Sequence, residues 1–182
     1  MDNKRVISRI IGVDLGFKGA ITAIDKQGKL IGIMDMPIVT VTKGKKKKTA
    51  LDVDGIIDLF TRMITPDAYI VIEKTHAISS HMSNPQANWN LGFSQGIFEG
   101  LIRNKGIRYE YVDPRKWQNH FGINGKRGDT KVQAYEVSKQ IFKNAVLTTK
   151  RGRILDGICD ALLIAEWGRR RLPMIEYGEN ME

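Results

Sequence analysis

The sequence is poor in cysteine and has no long apolar run, and each shortage excludes a class of protein. Cys159 is the only cysteine, so no internal disulfide can form, and a reducing compartment is favoured. The longest apolar runs, such as residues 161–165, are far too short to cross a bilayer. Residues 1–5 are charged and lead into no long apolar stretch. We therefore expect no secretory signal, no membrane partner and a cytoplasmic protein.

Acidic residues are too few to balance the basic ones. The chain has 29 Lys and Arg against 20 Asp and Glu, which gives a net charge of +9 and a pI near 9.7. An excess of this size is usually kept for an anionic partner, most often nucleic acid. An acidic membrane surface is the main rival, but we find neither a basic amphipathic helix nor a lipidation motif. A basic soluble protein without such a partner is the remaining alternative.

The hydrophobic pattern predicts one α/β domain over residues 1–182. Three β-rich runs joined by glycine-containing turns predict an antiparallel meander, and two later apolar runs predict buried parallel strands. Helical spacing fills the intervals. The predicted strands are residues 10–15, 20–25, 30–36, 68–72 and 107–112. We therefore expect a mixed five-stranded sheet with helices on both faces. The lysine-rich residues 42–49 are predicted to form a basic loop outside the core.

Four carboxylates lie where acidic residues are hard to explain by solvation. Asp14 lies in the apolar run 10–15, and Glu73 ends the apolar run 69–72. Asp156 and Asp160 are four residues apart and so share one face of the last predicted helix. A carboxylate beside a core is costly unless it is paired or bound to a cation. If the two strands are neighbours in the sheet, all four side chains can point to one place.

Oxygen ligands of this kind suit Mg²⁺ or Mn²⁺, and two such ions can activate a water and stabilise the departing oxygen of a phosphodiester. The three histidines lack metal-ligand spacing, which disfavours zinc. Each acid also has a simpler explanation. Asp14 could cap a turn, Glu73 could pair with a lysine, and Asp156 could be a first-turn acid stabilised by the helix dipole. Asp160, in the middle of an apolar helical segment, is the hardest to explain in this way.

These acidic motifs resemble those of RuvC-like Holliday junction resolvases, members of the ribonuclease H-like superfamily. The matching segments are residues 11–16, 71–73 and 156–162, and residues 84–96 and 130–133 are also similar. The form of the last motif is closer to the phage branch of that family than to its cellular members. The resemblance covers about residues 10–166. It implies a ribonuclease H-like fold, a homodimer, Mg²⁺ or Mn²⁺, paired nicks across four-way DNA junctions and, for a phage protein, the host cytoplasm.

The resemblance also assigns roles to individual residues. Asp14, Glu73 and Asp160 correspond to metal-holding catalytic acids of the family. Asp156 corresponds to the fourth acid, although the cellular pattern places the last two acids three residues apart and here the gap is four. Lys131 corresponds to a catalytic lysine that helps to stabilise phosphate charge.

Two other positions follow the family pattern only approximately. Lys116 lies near the position of a second family lysine, with a tryptophan beside it. His76 stands where family members have an aromatic residue that probes the junction centre, and its imidazole would stack on a base less strongly.

Basic residues recur beside the acidic motifs and are the predicted DNA contacts. Such cations would offset the repulsion between phosphates and a negative metal site. The run from Lys45 to Lys48 could grip phosphate, or it could be only a solvated tip. The full predicted set is Lys18, Lys45, Lys46, Lys47, Lys48, Lys74, His76, Arg115, Lys116, Lys126 and Arg127.

The predicted helix over residues 86–104 is the candidate dimer interface. Trp89, Phe93 and Ile97 share one face of it. Glycines at positions 92, 96 and 100 would let a partner helix approach closely.

Other functions remain open from the sequence. Residues 12–16 also resemble the first phosphate motif of sugar kinases and Hsp70-type ATPases, but those proteins need two such domains and this chain has the length of one. A non-catalytic DNA-binding module on the same fold would bind branched DNA without cutting it. A transposase or integrase is disfavoured because no separate DNA-recognition domain is visible.

Overall fold

Twelve helices and strands make up the part of the protein that can be described. The computed structural model describes residues 6–44, 46–75 and 85–176, apart from the side chains of residues 43, 46, 127 and 173–176. The strands are β1 Arg9–Val13, β2 Ala20–Asp25, β3 Leu30–Asp35, β4 Ile38–Lys43, β5 Lys46–Leu51, β6 Ala68–Glu73 and β7 Arg108–Val112. The helices are α1 Val53–Met63, α2 Pro85–Lys105, α3 Pro114–His120, α4 Arg127–Ile141 and α5 Asp156–Glu176.

Five strands form a mixed sheet in the order β3-β2-β1-β6-β7. The first three strands are antiparallel, and β6 and β7 are parallel to β1. This is the meander with two parallel strands that the sequence predicted. β1 lies at the centre, which is why its residues Ile10, Ile11 and Val13 are fully buried.

Helices cover both faces of this sheet, as predicted. Successive strand residues point to opposite faces, so Ile10 and Val71 pack on one side while Ile11 and Ile70 pack on the other. The first side is covered mainly by the apolar face of α5, together with α3 and α4. The second side is covered by α1 and α2.

Glycine in the central strand lets α5 lie unusually close to the sheet. A Cβ added at Gly12 would be 2.0 Å from the carbonyl oxygen of Ala161 and 2.5 Å from the backbone nitrogen of Ala165. Any side chain at this position would therefore overlap the backbone of the helix. This close approach fixes the height of α5 over the carboxyl end of β1.

The prediction of a basic loop over residues 42–49 was wrong. β4 and β5 form a two-stranded antiparallel hairpin in which Val41 pairs with Lys48 and Thr42 pairs with Lys47. Gly44 has φ of 62° at the turn, a conformation that glycine adopts readily. All residues of β4 from Ile38 to Thr42 are β-branched and favour a strand, and lysine is tolerated on an exposed strand edge. Lys47 and Lys48 thus lie on a two-stranded ribbon.

Within residues 6–44, 46–75 and 85–176, none of the helices combines the length and the apolar character that a membrane span requires.

Candidate metal and nucleic-acid site

Two of the predicted acids lie side by side at one edge of the sheet. β1 and β6 are parallel neighbours, and Val13 pairs with Ile72. Asp14 and Glu73 are the next residue on each strand, so both lie at the carboxyl edge. Asp14 accepts a hydrogen bond from the backbone N–H of Gly16 at 3.2 Å, which holds its side chain in the turn that follows β1.

The first turns of α5 bring the other two acids to the same edge. Gly157 forms a parallel bridge with Gly19, in the turn between β1 and β2. A Cβ at Gly157 would lie 2.0 Å from the carbonyl oxygen of Lys18, so the helix terminus rests directly on that turn. Asp156 begins the helix, and Asp160 follows one turn later on the same face.

The ionisation of these side chains reflects their proximity to one another. Burial, and then the charges of Asp14, Glu73 and Asp156, raise the pKa of Asp160 well above its usual value. Burial and the charge of Asp14 raise the pKa of Glu73 to about 7. Burial, with a smaller effect from Asp156, also raises the pKa of Asp14, against the hydrogen bond from Gly16. All four carboxylates therefore interact electrostatically at one site.

This donor set fits hard divalent cations. Carboxylate oxygens are the preferred protein ligands of Mg²⁺ and Mn²⁺, and a cation would offset the burial and mutual repulsion that raise these pKa values. In the described portion of the chain, no three acidic, histidine or cysteine side chains lie ready-made at coordination geometry. Side chains that repel one another are expected to close around a cation only when it binds.

Lys131 lies beside this acidic edge as an ion-pair partner. Its Nζ donates a hydrogen bond to Oδ2 of Asp156, which links α4 to the start of α5. Partial burial raises the pKa of Asp156, but the hydrogen bond and the positive charge of Lys131 outweigh it and hold that pKa below its usual value. Asp156 is thus the one member of the acidic set whose charge is already compensated within the protein.

Trp117 contacts the site, and the sequence did not predict this contact. The indole Nε1 donates a hydrogen bond to Oε1 of Glu73 at 2.9 Å, and the ring is fully buried. In the sequence, this tryptophan was noted as the neighbour of Lys116. A signal was present nonetheless, because Asp113 and Pro114 start a helix directly after β7, the strand beside β6. That position brings the helix to the same edge of the sheet.

Several of the predicted DNA-contacting residues are exposed on segments that follow or precede elements of this site. Lys18 is exposed in the turn after β1, and its charge contributes to lowering the pKa of Asp156. Lys74 is exposed directly after Glu73, and Lys126 is exposed at the N-cap of α4.

Other predicted contacts lie further from the acids or outside the described residues. Lys47 and Lys48 are exposed on β5 of the hairpin, and Arg115 is exposed on α3. The Lys116 Nζ lies 5.9 Å from the centroid of the Trp167 ring, a cation–π contact with α5. Lys45 and His76 lie outside the described residues, and the side chains of Lys46 and Arg127 are not described.

One face of α2 is apolar and exposed. Trp89 is 65% exposed and Phe93 is 44% exposed, and their rings stack with centroids 5.9 Å apart. A Cβ added at Gly92, Gly96 or Gly100 would meet no atom within 4 Å. Among the described residues, nothing outside the helix lies over these three glycines, and the use of this face as a dimer interface stays a prediction.

Comparison with known proteins identifies the class and then the family. Thermus thermophilus RuvC in complex with a Holliday junction substrate has 10% identity and a TM-score of 0.55, over 94% of this chain and 96% of that chain. A second Thermus thermophilus RuvC structure has 10% identity and a TM-score of 0.52, over 92% and 97%. No curated protein matches the chain. These likenesses show that the fold is RuvC-like.

The family is defined by sequence rather than by fold alone. The family model DUF3882, described as Lactococcus phage M3 protein, matches residues 37–167, which is more than half of the 182 residues. The chain belongs to this phage protein family. The phage branch suggested by the form of the last acidic motif is therefore confirmed. The match includes Glu73, Trp117 and both acids of α5, whereas Asp14 precedes it.

Replacing one acid of this set should stabilise the metal-free protein. In Asp160→Asn, a buried negative charge near three others is removed while the shape is kept, so we expect the free energy of unfolding in EDTA to rise by about 1 kcal/mol at pH 8. A carboxyl group whose pKa is raised by folding makes the protein less stable as the pH rises from the unfolded pKa to the folded pKa. For Glu73 this interval runs from 4.5 to about 7. The gain should therefore be smaller at pH 5.

Thermal unfolding of both proteins in EDTA and in Mg²⁺ measures this effect. Mg²⁺ should stabilise the unaltered protein more than the variant. Asp35→Asn, at an exposed position at the end of β3, is the matched control. It should change neither the stability in EDTA nor the stabilisation by Mg²⁺. If Asp160→Asn were less stable than the unaltered protein in EDTA at pH 8, repulsion among the four acids could not be a destabilising force at this edge.

Proposed function

We propose that the protein is an Mg²⁺- or Mn²⁺-dependent endonuclease that cleaves branched DNA and resolves Holliday junctions by paired nicks. The observation that carries this proposal is the meeting of Asp14, Glu73, Asp156 and Asp160 at the carboxyl edge of a RuvC-like sheet. Buried acids with raised pKa values in such a position are typical of sites that act on an anionic substrate through divalent cations.

Each residue of the edge has a task in this proposal. Asp14, Glu73 and Asp160 would hold the cations, and Asp156 would join them if Lys131 exchanged its contact with Asp156 for one with the substrate. When bound, the cations supply a nucleophile from water and stabilise charge on the phosphodiester oxygens. Lys131 provides positive charge next to the phosphate. Because its partner Asp156 lies at the start of α5, Lys131 is already held within reach of the acidic edge.

The basic residues would contact the DNA backbone near the acids. Lys18 and Lys74 lie in the segments that follow β1 and β6, and Lys126 precedes the helix that carries Lys131. Their charges would offset the repulsion between phosphates and the acidic edge. The β4–β5 hairpin carries Lys47 and Lys48 on an ordered ribbon, which suits a contact with the DNA backbone at a fixed distance from the site.

Paired nicks require two active sites, and we propose a homodimer through the exposed face of α2. Trp89 and Phe93 are the apolar anchors of this face, and the open space over Gly96 admits a partner helix. Light scattering coupled to gel filtration measures the mass directly. A strict monomer at micromolar concentration would remove this part of the proposal.

Labelled duplex, flap, three-way and four-way DNA, each incubated with Mg²⁺, test the activity. We expect symmetrical nicks in the four-way junction, slower or no cutting of plain duplex, and no product in EDTA. Tight junction binding without any cleavage in Mg²⁺ or Mn²⁺ would instead identify a non-catalytic branched-DNA-binding module. Equal cutting of duplex and junction would refute the selectivity for branches.

A further inference from the structure

The carboxylate of Glu73 has a protein hydrogen-bond partner that the metal-binding proposal does not use. The Trp117 Nε1 lies 2.9 Å from Glu73 Oε1, and the indole is fully buried against the core. An indole N–H is a donor only, with no lone pair to offer a cation and no proton to exchange near neutral pH. It can therefore hold a carboxylate oxygen without competing for the metal.

The backbone around this contact is fixed at both ends. Glu73 pairs with Val112 across the β6–β7 ladder, and the backbone N–H of Lys74 donates to the carbonyl of Val112 at 2.8 Å. Asp113 caps α3 by accepting a hydrogen bond from the backbone N–H of Arg115 at 2.9 Å. Trp117 is thus attached, through one turn of helix, to the strand that pairs with Glu73. The ladder and the cap therefore hold the backbones of the two residues at a fixed separation.

We propose that Trp117 is a positioning residue that fixes the Glu73 carboxylate and reserves Oε2 as the oxygen that contacts the cations. This inference rests on the proposed function. Without the indole donor, the Glu73 side chain could rotate about its last bond and present either oxygen or both. A ligand held in one orientation loses less conformational freedom on binding a cation, so the donor strengthens metal binding without touching the metal.

The test removes the N–H and keeps the shape. Replacing Trp117 with 3-benzothienylalanine exchanges the ring nitrogen for sulfur, and Trp117→Phe removes the donor in an ordinary variant. Mn²⁺ affinity of the whole protein without DNA, measured by electron paramagnetic resonance, should fall about 10-fold or more in both. Thermal stability in EDTA should change little for the benzothienyl protein. Junction binding in EDTA should be unchanged, because the residue acts on the metal ligand.

A matched control separates positioning from packing. Trp167 is also buried and lies on α5, where its ring contacts Arg171 and Lys116. The same benzothienyl replacement at Trp167 should leave Mn²⁺ affinity unchanged. Unaltered Mn²⁺ affinity of the Trp117 replacement, in a protein that itself binds Mn²⁺ and cuts junctions, overturns this inference alone. Absence of Mn²⁺ binding by the unaltered protein overturns both this inference and the proposed function.

Discussion

Asp14→Asn is expected to reduce nicking of a four-way junction roughly 1,000-fold or more, as for the removal of one essential catalytic group. Asparagine keeps the size of the side chain, and its oxygen can still accept the hydrogen bond from the Gly16 N–H. The turn after β1 should therefore keep its shape. The variant loses one negative charge from the edge at which Glu73 and Asp160 also lie. A divalent cation requires that charge as a ligand.

Binding of the junction by Asp14→Asn should be retained or slightly strengthened. The variant has one negative charge fewer beside the phosphates, while Lys18 and Lys74 are untouched. Single-turnover cleavage and mobility shift on the same labelled junction measure the two effects separately. Asp35→Asn changes a carboxylate to an amide at an exposed position on β3, two strands from β1, and should cut at the unaltered rate. Full cleavage by Asp14→Asn would overturn the assignment of this edge as the active site.

Much of the fold follows from local pattern in the sequence. Residues 10–13 of β1 are apolar apart from one glycine, which predicts burial on both faces, and the structure places this strand at the centre of the sheet. Residues 42–49 were predicted wrongly because five lysines at positions 43 and 45–48 outweighed the alternating Val39 and Val41. A two-stranded ribbon needs no buried face, so charge is a poor guide to its secondary structure.

The sequence could predict only those site residues that stand out within their own strand or helix. Asp14 and Glu73 end buried strands, and Asp160 interrupts an apolar helix, so each departs from its local pattern. The contact between Trp117 and Glu73 spans 44 residues and depends on how β7 and α3 follow the sheet. A buried tryptophan is an ordinary core residue by local criteria. Its hydrogen bond becomes visible only once the strands are paired.

Gly12→Ala is the second change with a large expected effect, because it tests the packing that brings α5 to the acids. The added methyl would lie 2.0 Å from the carbonyl oxygen of Ala161 and 2.5 Å from the backbone nitrogen of Ala165. Both atoms belong to helix backbone, which cannot move aside as a flexible side chain would. We expect a destabilisation of about 3 kcal/mol. For a chain of this size, that corresponds to a fall in the melting temperature of roughly 10 °C.

The same displacement should impair the site before the protein unfolds. Asp160 lies one residue before Ala161, so lifting α5 from β1 moves this carboxylate away from Asp14. Mn²⁺ affinity and junction cleavage at 20 °C should therefore fall in the fraction that remains folded. Gly128→Ala, at an exposed position in the first turn of α4 with no atom within 4 Å of the new methyl, is the control and should be neutral or stabilising. If Gly12→Ala melted and bound Mn²⁺ like the unaltered protein, close contact between strand and helix could not be what aligns the acids.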